Sequence, residues 1–151
     1  NSATLLRGQA FELALSIREM QLMAVSAEAR SANQFRNTFG VHLDLSAANS
    51  YKRFQEGSTG NRYFNSGEEF GQQGLIDPRF RIERIYALPA NTNITDPISI
   101  TFKRQNFDAE FKTSAATSLN VDAVAIDITP RGATSPKRTV LVSKTGQISV
   151  E

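Results

Sequence analysis

Leu6, Ala10, Leu13, Ile17, Met20, Ala24 and Ala27 recur at alternating steps of four and three along the first thirty residues. That spacing keeps an apolar stripe on one side of an α-helix and predicts a helix over about residues 3–30. Phe11, Leu15, Leu22 and Met23 are expected to widen the stripe, with Arg7, Glu12, Arg18, Glu19, Glu28 and Arg30 around it. No proline interrupts the run, and Gly8 stands near its start. The polar stretch 31–37 ends the pattern.

From there the period changes to two, and a β body is expected over about residues 36–151. Val41, Leu43 and Leu45 alternate with His42 and Asp44, and Tyr51 and Phe54 belong to a second strand, so the pair reads as a hairpin. Residues 56–74 hold five glycines among Asn, Ser and Gln, with Tyr63, Phe64 and Phe70 as large anchors. A spacer has no use for three aromatics, so this is a folded excursion. A strand around Arg81–Ala87 lies between Pro78 and Pro89, followed by a loop over 90–97. Ile98, Ile100 and Phe102 alternate cleanly with Ser99, Thr101 and Lys103, the period of a strand. A turn at 104–106 leads to Phe107, Ala109 and Phe111.

The next strand is expected over Leu119–Thr129, with Val124, Ile126 and Ile128 inward and Asp127 outward. Val121 is out of phase with that set and predicts a bulge near Asp122–Ala123. Thr139–Ser143 and Gln147–Val150 flank Lys144-Thr145-Gly146 as a closing hairpin, with glycine at a positive-φ position. This gives seven to nine short strands with no helical crossovers, hence an antiparallel arrangement. The fold class is α+β: one long N-terminal helix laid on antiparallel β-sheet, in a single domain spanning 1–151.

A chain of 151 residues can bury a core without staples. Cysteine is absent, so neither disulfides nor thiolate metal sites arise. The formal net charge is +2, which gives little reason to expect nucleic acid from bulk charge. No apolar run approaches the roughly 18 residues that span a bilayer, and no signal-peptide pattern opens the chain. Asn1 in place of Met suggests a processed or trimmed chain.

Catalytic constellations are poor. His42 is the single histidine, and Asp44 on the same strand face suggests a base oriented by a carboxylate; an exposed histidine beside an exposed aspartate is the plainer reading. Glu68-Glu69 form an adjacent carboxylate pair in a glycine-rich loop, where such pairs are usually solvated. Asp77, Asp96, Asp108 and Asp122 stand singly and make no calcium-loop pattern. No phosphate-binding glycine motif occurs between a strand and a helix. These observations point away from an enzyme, and from any cofactor, metal or small-molecule substrate. Between Ile128 and Val150 there is no acid, while Arg131, Lys137, Arg138 and Lys144 all occur. These four are the candidate nucleic-acid contacts, of modest and salt-dependent affinity, while Arg79, Arg81 and Arg84 form another basic group interleaved with Phe80 and Ile82.

Three stretches carry a family resemblance. Phe11 to Gln21 reads FELALSIREMQ, a run of small and apolar residues leading to an arginine. Phe39 to Asp44 (FGVHLD), followed by Tyr51-Lys52-Arg53-Phe54, is a first hairpin, and Val140 to Val150 (VLVSKTGQISV) is a closing one. In this order they resemble the type IV pilin-like proteins, most closely the minor pseudopilins related to the H subunit of type II secretion and to FimT. The resemblance implies a bacterial filament subunit whose basic leader is removed by a peptidase. Some twenty apolar residues, with a glutamate near a mature, methylated N-terminus, would then anchor it in the inner membrane. On that reading the chain is a periplasmic or extracellular ectodomain that starts partway along the helix. Its partners are other pilin or pseudopilin subunits.

Leu13, Ile17 and Met20 would then fix the helix to the sheet, each contributing about 1.5–3 kcal/mol of burial. Leu5, Leu6 and Phe11, on a projecting N-terminal part, would be left over as intersubunit contacts. Two other functions remain: nucleic-acid capture by such a pilus, and a free-standing secreted binding domain.

Overall fold

The computed structural model describes residues 2–27, 38–57, 60–103 and 105–151. A single helix, α1 (Ser2–Val25), is followed by eleven strands among the described residues. Sequence reading foresees seven to nine. The surplus comes from two-residue pairings at sheet edges: β3 (Gly74–Leu75), β5 (Thr92–Asn93) and β8 (Thr117–Ser118). The expected helix end at 28–30, the polar stop at 31–37 and Arg104 in the turn lie outside the described residues. Helical geometry gives out at Val25, where Ser26 turns its hydroxyl back to the carbonyl of Leu22 (2.8 Å).

The strands form two antiparallel sheets. The first has the order β3-β2-β1-β6-β7-β8, built on β1 (Phe39–Leu43), β2 (Ser50–Gln55), β6 (Ile98–Phe102) and β7 (Ala109–Ser114). The second has the order β11-β10-β9-β4-β5, with β4 (Phe80–Leu88), β9 (Ala123–Pro130), β10 (Arg138–Ser143) and β11 (Ile148–Val150). Instead of resting on one sheet, α1 touches β1 and β6 of the first and β9, β10 and β11 of the second. Its stripe is the shared core: Leu6, Ala10, Leu13, Ala14, Ile17, Met20 and Ala24 are all buried among inward residues of both sheets. Alternating Ala and large apolar positions let the backbone approach the strands closely.

Two register details depart from the alternation pattern. The irregularity facing β9 falls between Ile82 and Arg84 on β4, not near Asp122–Ala123. It shifts the inward set from Phe80 and Ile82 to Ile85 and Ala87. Leu119–Val121 precede β9 as irregular chain, which accounts for the phase of Val121. The connection between the hairpins also differs from expectation. Ser99 and Thr101 face away from α1 yet are fully buried, because residues 60–73 fold back over that side of the first sheet.

Polar ties lock the helix in place. Arg53 on β2 pairs with Glu19 at 3.0 Å, and Ser16 shares a hydrogen bond with the Tyr51 hydroxyl at 2.9 Å. Arg18 donates to the carbonyl of Ile148 on the edge strand β11. Near the helix end, the carbonyl of Ala24 accepts the backbone N–H of Gln105 in addition to that of Ala27, tying the last turn to the loop after β6.

Candidate functional site

The side of α1 that faces away from both sheets carries large apolar residues interspersed with Arg7 and Arg18. Large exposed hydrophobic residues among the described ones are Leu5, Phe11, Leu15, Leu22, Met23, Leu75 and Phe107, and five of the seven sit on this helix. At 3.6 residues per turn, Phe11, Leu15 and Leu22 lie within roughly 40° of one another on the helix circumference. They point opposite the buried stripe and are 43%, 54% and 57% exposed. These residues do not widen the core stripe; they make a second one. Arg7 covers part of the Phe11 ring, with its guanidinium carbon 5.2 Å from the centroid. Towards the C-terminal end the stripe opens into a groove of about 360 Å³, lined by Leu22, Met23, Glu19, Arg53 and Phe70.

Leu6, expected among the leftover contacts, is instead in the core at 2% exposure. Its place in the four-three repeat with Ala10 and Leu13 turns it inward, so α1 packs on the sheets from Leu6 onward. Leu5 and Phe11 do remain outside, and Leu13, Ile17 and Met20 are fully buried.

The outer face of the first sheet holds the second feature, a covered polar patch. His42 on β1 is half-buried, with Nδ1 2.8 Å from the Ser99 hydroxyl on β6. The Ser99 oxygen also accepts the backbone N–H of Phe64 at 3.0 Å, which fastens the 60–73 lid to the sheet. Tyr63 stands edge-on to the imidazole and Phe64 lies tilted beside it, each with centroids 5.2 Å away. Burial drops the His42 pKa from 6.5 to about 4, so the ring is neutral at physiological pH. Asp44 does not orient it. Its carboxylate caps the turn Leu45–Ala47 by accepting from the N–H (2.9 Å) and the hydroxyl (2.8 Å) of Ser46, which holds its pKa below the usual value. A histidine, a serine and a carboxylate are all close in sequence space to a triad, but the geometry makes a lid fastening instead.

Nor is Glu68 solvated. It accepts the N–H groups of Gly57 and Asn65, both at 2.7 Å, and so closes the base of the lid, while Glu69 accepts only locally, from Gly67. Arg62 on the lid reaches both carboxylate oxygens of Glu110 on β7, which Lys103 also engages at 2.8 Å. Glu56, which follows β2, is buried beneath the lid.

The basic residues are largely spoken for. Arg131 donates to the carbonyl of Pro78 and to the Asn49 side chain, and Arg79 is paired with Asp77. Lys137 faces Asp127 at 3.7 Å and Lys144 faces Asp122 at 3.3 Å. Arg138 is half-buried at the start of β10. Asp127 does face away from the helix, as alternation predicts, but it is 2% exposed because Tyr86, Thr139 and Lys137 close around it. On the same sheet face Arg84 stacks on Tyr86 at 3.9 Å and bonds Asn91 and Asn93.

A further groove of about 560 Å³ runs between the β4–β5 hairpin and Leu119–Asp122. Asp96 and Asp122 are its ionisable lining groups, with no base or nucleophile set between them. Among the described residues no three His, Cys, Asp or Glu side chains gather to hold a metal ion, and no helix is long and apolar enough to cross a membrane.

No family model matches the chain, and no curated protein sequence does. Among solved structures it is similar to the crystal structure of the type IV minor pilin FimU of Pseudomonas aeruginosa strain PAO1. The TM-score is 0.56 at 16% sequence identity, over 99% of this chain and 90% of that one. The architecture is therefore a pilin-like α+β fold, a long N-terminal helix packed on antiparallel sheets.

Proposed function

We propose that this chain is a structural subunit of a type IV pilus-like filament, a minor pilin or pseudopilin that works by assembly and display and not by catalysis. The second apolar stripe of α1 carries this reading. A helix already saturated by two sheets on one side has no folding reason to keep Phe11, Leu15 and Leu22 in water on the other. Such a face gains about 25 cal/mol per Å² when neighbouring copies cover it. The contacts needed for a filament are heterologous and do not close. The FimU likeness supports a structural role of this kind. An anchoring apolar segment ahead of Asn1, a place in the inner membrane with a surface-exposed filament, N-terminal methylation and a choice between pilus and type II secretion pseudopilus all belong to this proposal.

The pairing of Arg131, Lys137 and Lys144 with protein groups favours assembly over nucleic-acid capture, and the fused helix favours it over a free-standing binding domain. The test is a Leu15→Glu/Leu22→Glu double variant of the protein expressed with its native upstream sequence. Unchanged folding with loss of incorporation into sheared surface filaments is expected. Normal incorporation would overturn the reading.

A further inference from the structure

Glu56 emerges from β2 beneath the lid and is 1% exposed. Its Oε2 accepts the backbone N–H of Arg62, so the carboxyl group holds lid backbone directly. Its Oε1 is buried with no hydrogen-bond partner, and the hydroxyl of Thr101, on the same outer side of the first sheet, is buried and unpartnered as well. The charged groups about Glu56 are Glu68 and Arg62 of the lid and Lys112 of β7. None of these meets the bare oxygen. Glu68 is spent on two backbone N–H groups, the Arg62 guanidinium is held by Glu110 together with Lys103, and Lys112 donates to the carbonyls of Asn61 and Ala115. One row further along the same face, Lys52 of β2 flanks the neutral His42 of β1.

The geometry points to a proton-gated lid: residues 60–73 lie closed over His42, Phe54 and Ser99 while Glu56 carries a proton, and lift when it ionises. An uncharged carboxyl tolerates one bare oxygen in a dry site far better than a carboxylate does. Lifting the lid delivers that oxygen to water. It also uncovers a patch of the sheet comprising Phe54, His42 and Ser99, against which Tyr63 and Phe64 of the lid pack in the closed form. Burial first, and the Glu68 charge after it, raise the Glu56 pKa from 4.5 to about 7, against the opposing pull of the Arg62 N–H, Arg62 and Lys112. A group raised in this way favours the closed form fully below about 4.5 and surrenders that preference as pH climbs through 7.

Amide hydrogen exchange of Arg62, Phe64 and Phe70 in the whole chain, corrected for the intrinsic pH dependence, reads the lid directly. Linkage predicts a roughly two- to threefold loss of protection between pH 6 and 8, the about tenfold effect of Glu56 being offset about fourfold by His42 freed in the open form, with no such loss in Glu56→Gln. Constant protection in the unmodified protein, or a loss that persists in Glu56→Gln, would overturn the inference. Should that variant not fold, carbon-13 titration of the Glu56 carboxyl in the unmodified protein decides instead. A midpoint near 7 supports the gate and one near 4.5 refutes it.

Discussion

The side-chain amide of Gln21 donates to the carbonyl of Phe107 at 2.9 Å, and also to that of Gly146 at 2.9 Å. One buried polar residue of the helix thereby joins the loop after β6 to the closing hairpin, and so one sheet to the other. Both acceptors lose a partner in Gln21→Leu. The two lost hydrogen bonds cost about 0.5–1.5 kcal/mol each before relaxation. The urea midpoint should fall accordingly, with an unchanged m-value.

Gly146 has φ +91° and its missing side chain leaves room for that same junction. A Cβ there would run into the Phe107 carbonyl and lie 2.7 Å from the Gln21 amide nitrogen. Gly146→Ala therefore combines backbone strain with a steric clash. It should destabilise the fold by more than the roughly 1–2 kcal/mol that a left-handed backbone alone costs an L residue, as measured by the shift in thermal midpoint.

The two faces of α1 should respond differently to the same truncation. Leu13→Ala opens a cavity in a closed core and should cost about 2–5 kcal/mol. Leu15→Ala removes a side chain that is 54% exposed and should stay within about 0.5 kcal/mol of the parent. Chemical denaturation of the two variants makes the comparison. Equal losses would mean that the outer stripe is part of the fold and not a surface held for neighbours.

How much of this could be read from the chain depends on how local each signal is. The helix and its core stripe were legible because Leu6 to Ala24 repeat within one element. The second stripe was visible as apolar letters, but periodicity alone assigns Leu15 and Leu22 to a wide core as readily as to a neighbour. Leu6 belongs to the core repeat, and the repeat turns it inward. The bulge has a local signal in β4, where Phe80 and Ile82 keep one phase and Ile85 and Ala87 the other. Alternation puts Ser99 on the side away from the helix, yet cannot show that a loop 35 residues earlier in sequence covers it. The His42–Ser99 contact joins residues 57 apart, and the burial of Glu56 follows from the lid above it. No window of sequence contains either.

Asp127 gives a test on the second sheet. It accepts the hydroxyls of Thr139 at 2.6 Å and Tyr86 at 3.2 Å in a nearly dry position. Asp127→Ala strands both hydroxyls and leaves Lys137 without its counterion, so a loss of about 1–3 kcal/mol is expected. Freed Lys137 should also raise any affinity for a DNA duplex at low salt. Salt-insensitive binding, or strong binding by the unmodified protein, would show that pairing does not restrain these cations.

Two groups beside the lid give stability opposite pH slopes, and they can be separated. The His42 pKa is depressed in the folded state, so its contribution is complete above about 6.5 and is lost as pH falls through 4. That of Glu56 is raised, so its contribution is complete below about 4.5 and is lost as pH rises through 7. Across the shared interval the slopes oppose one another, and the unmodified protein should show a flattened stability profile between about pH 4.5 and 6.5. Glu56→Gln removes one slope and should expose the other, with stability falling on acidification by no more than about 1.4 kcal/mol per pH unit. Adding His42→Phe, which keeps a ring against Tyr63 and Phe64, should flatten the profile again. Urea titrations of the three proteins at half-unit pH steps measure this. An acid slope that survives in the double variant would assign the dependence to carboxylates elsewhere, of which Asp77, held near 2 by Arg79, titrates too low to contribute.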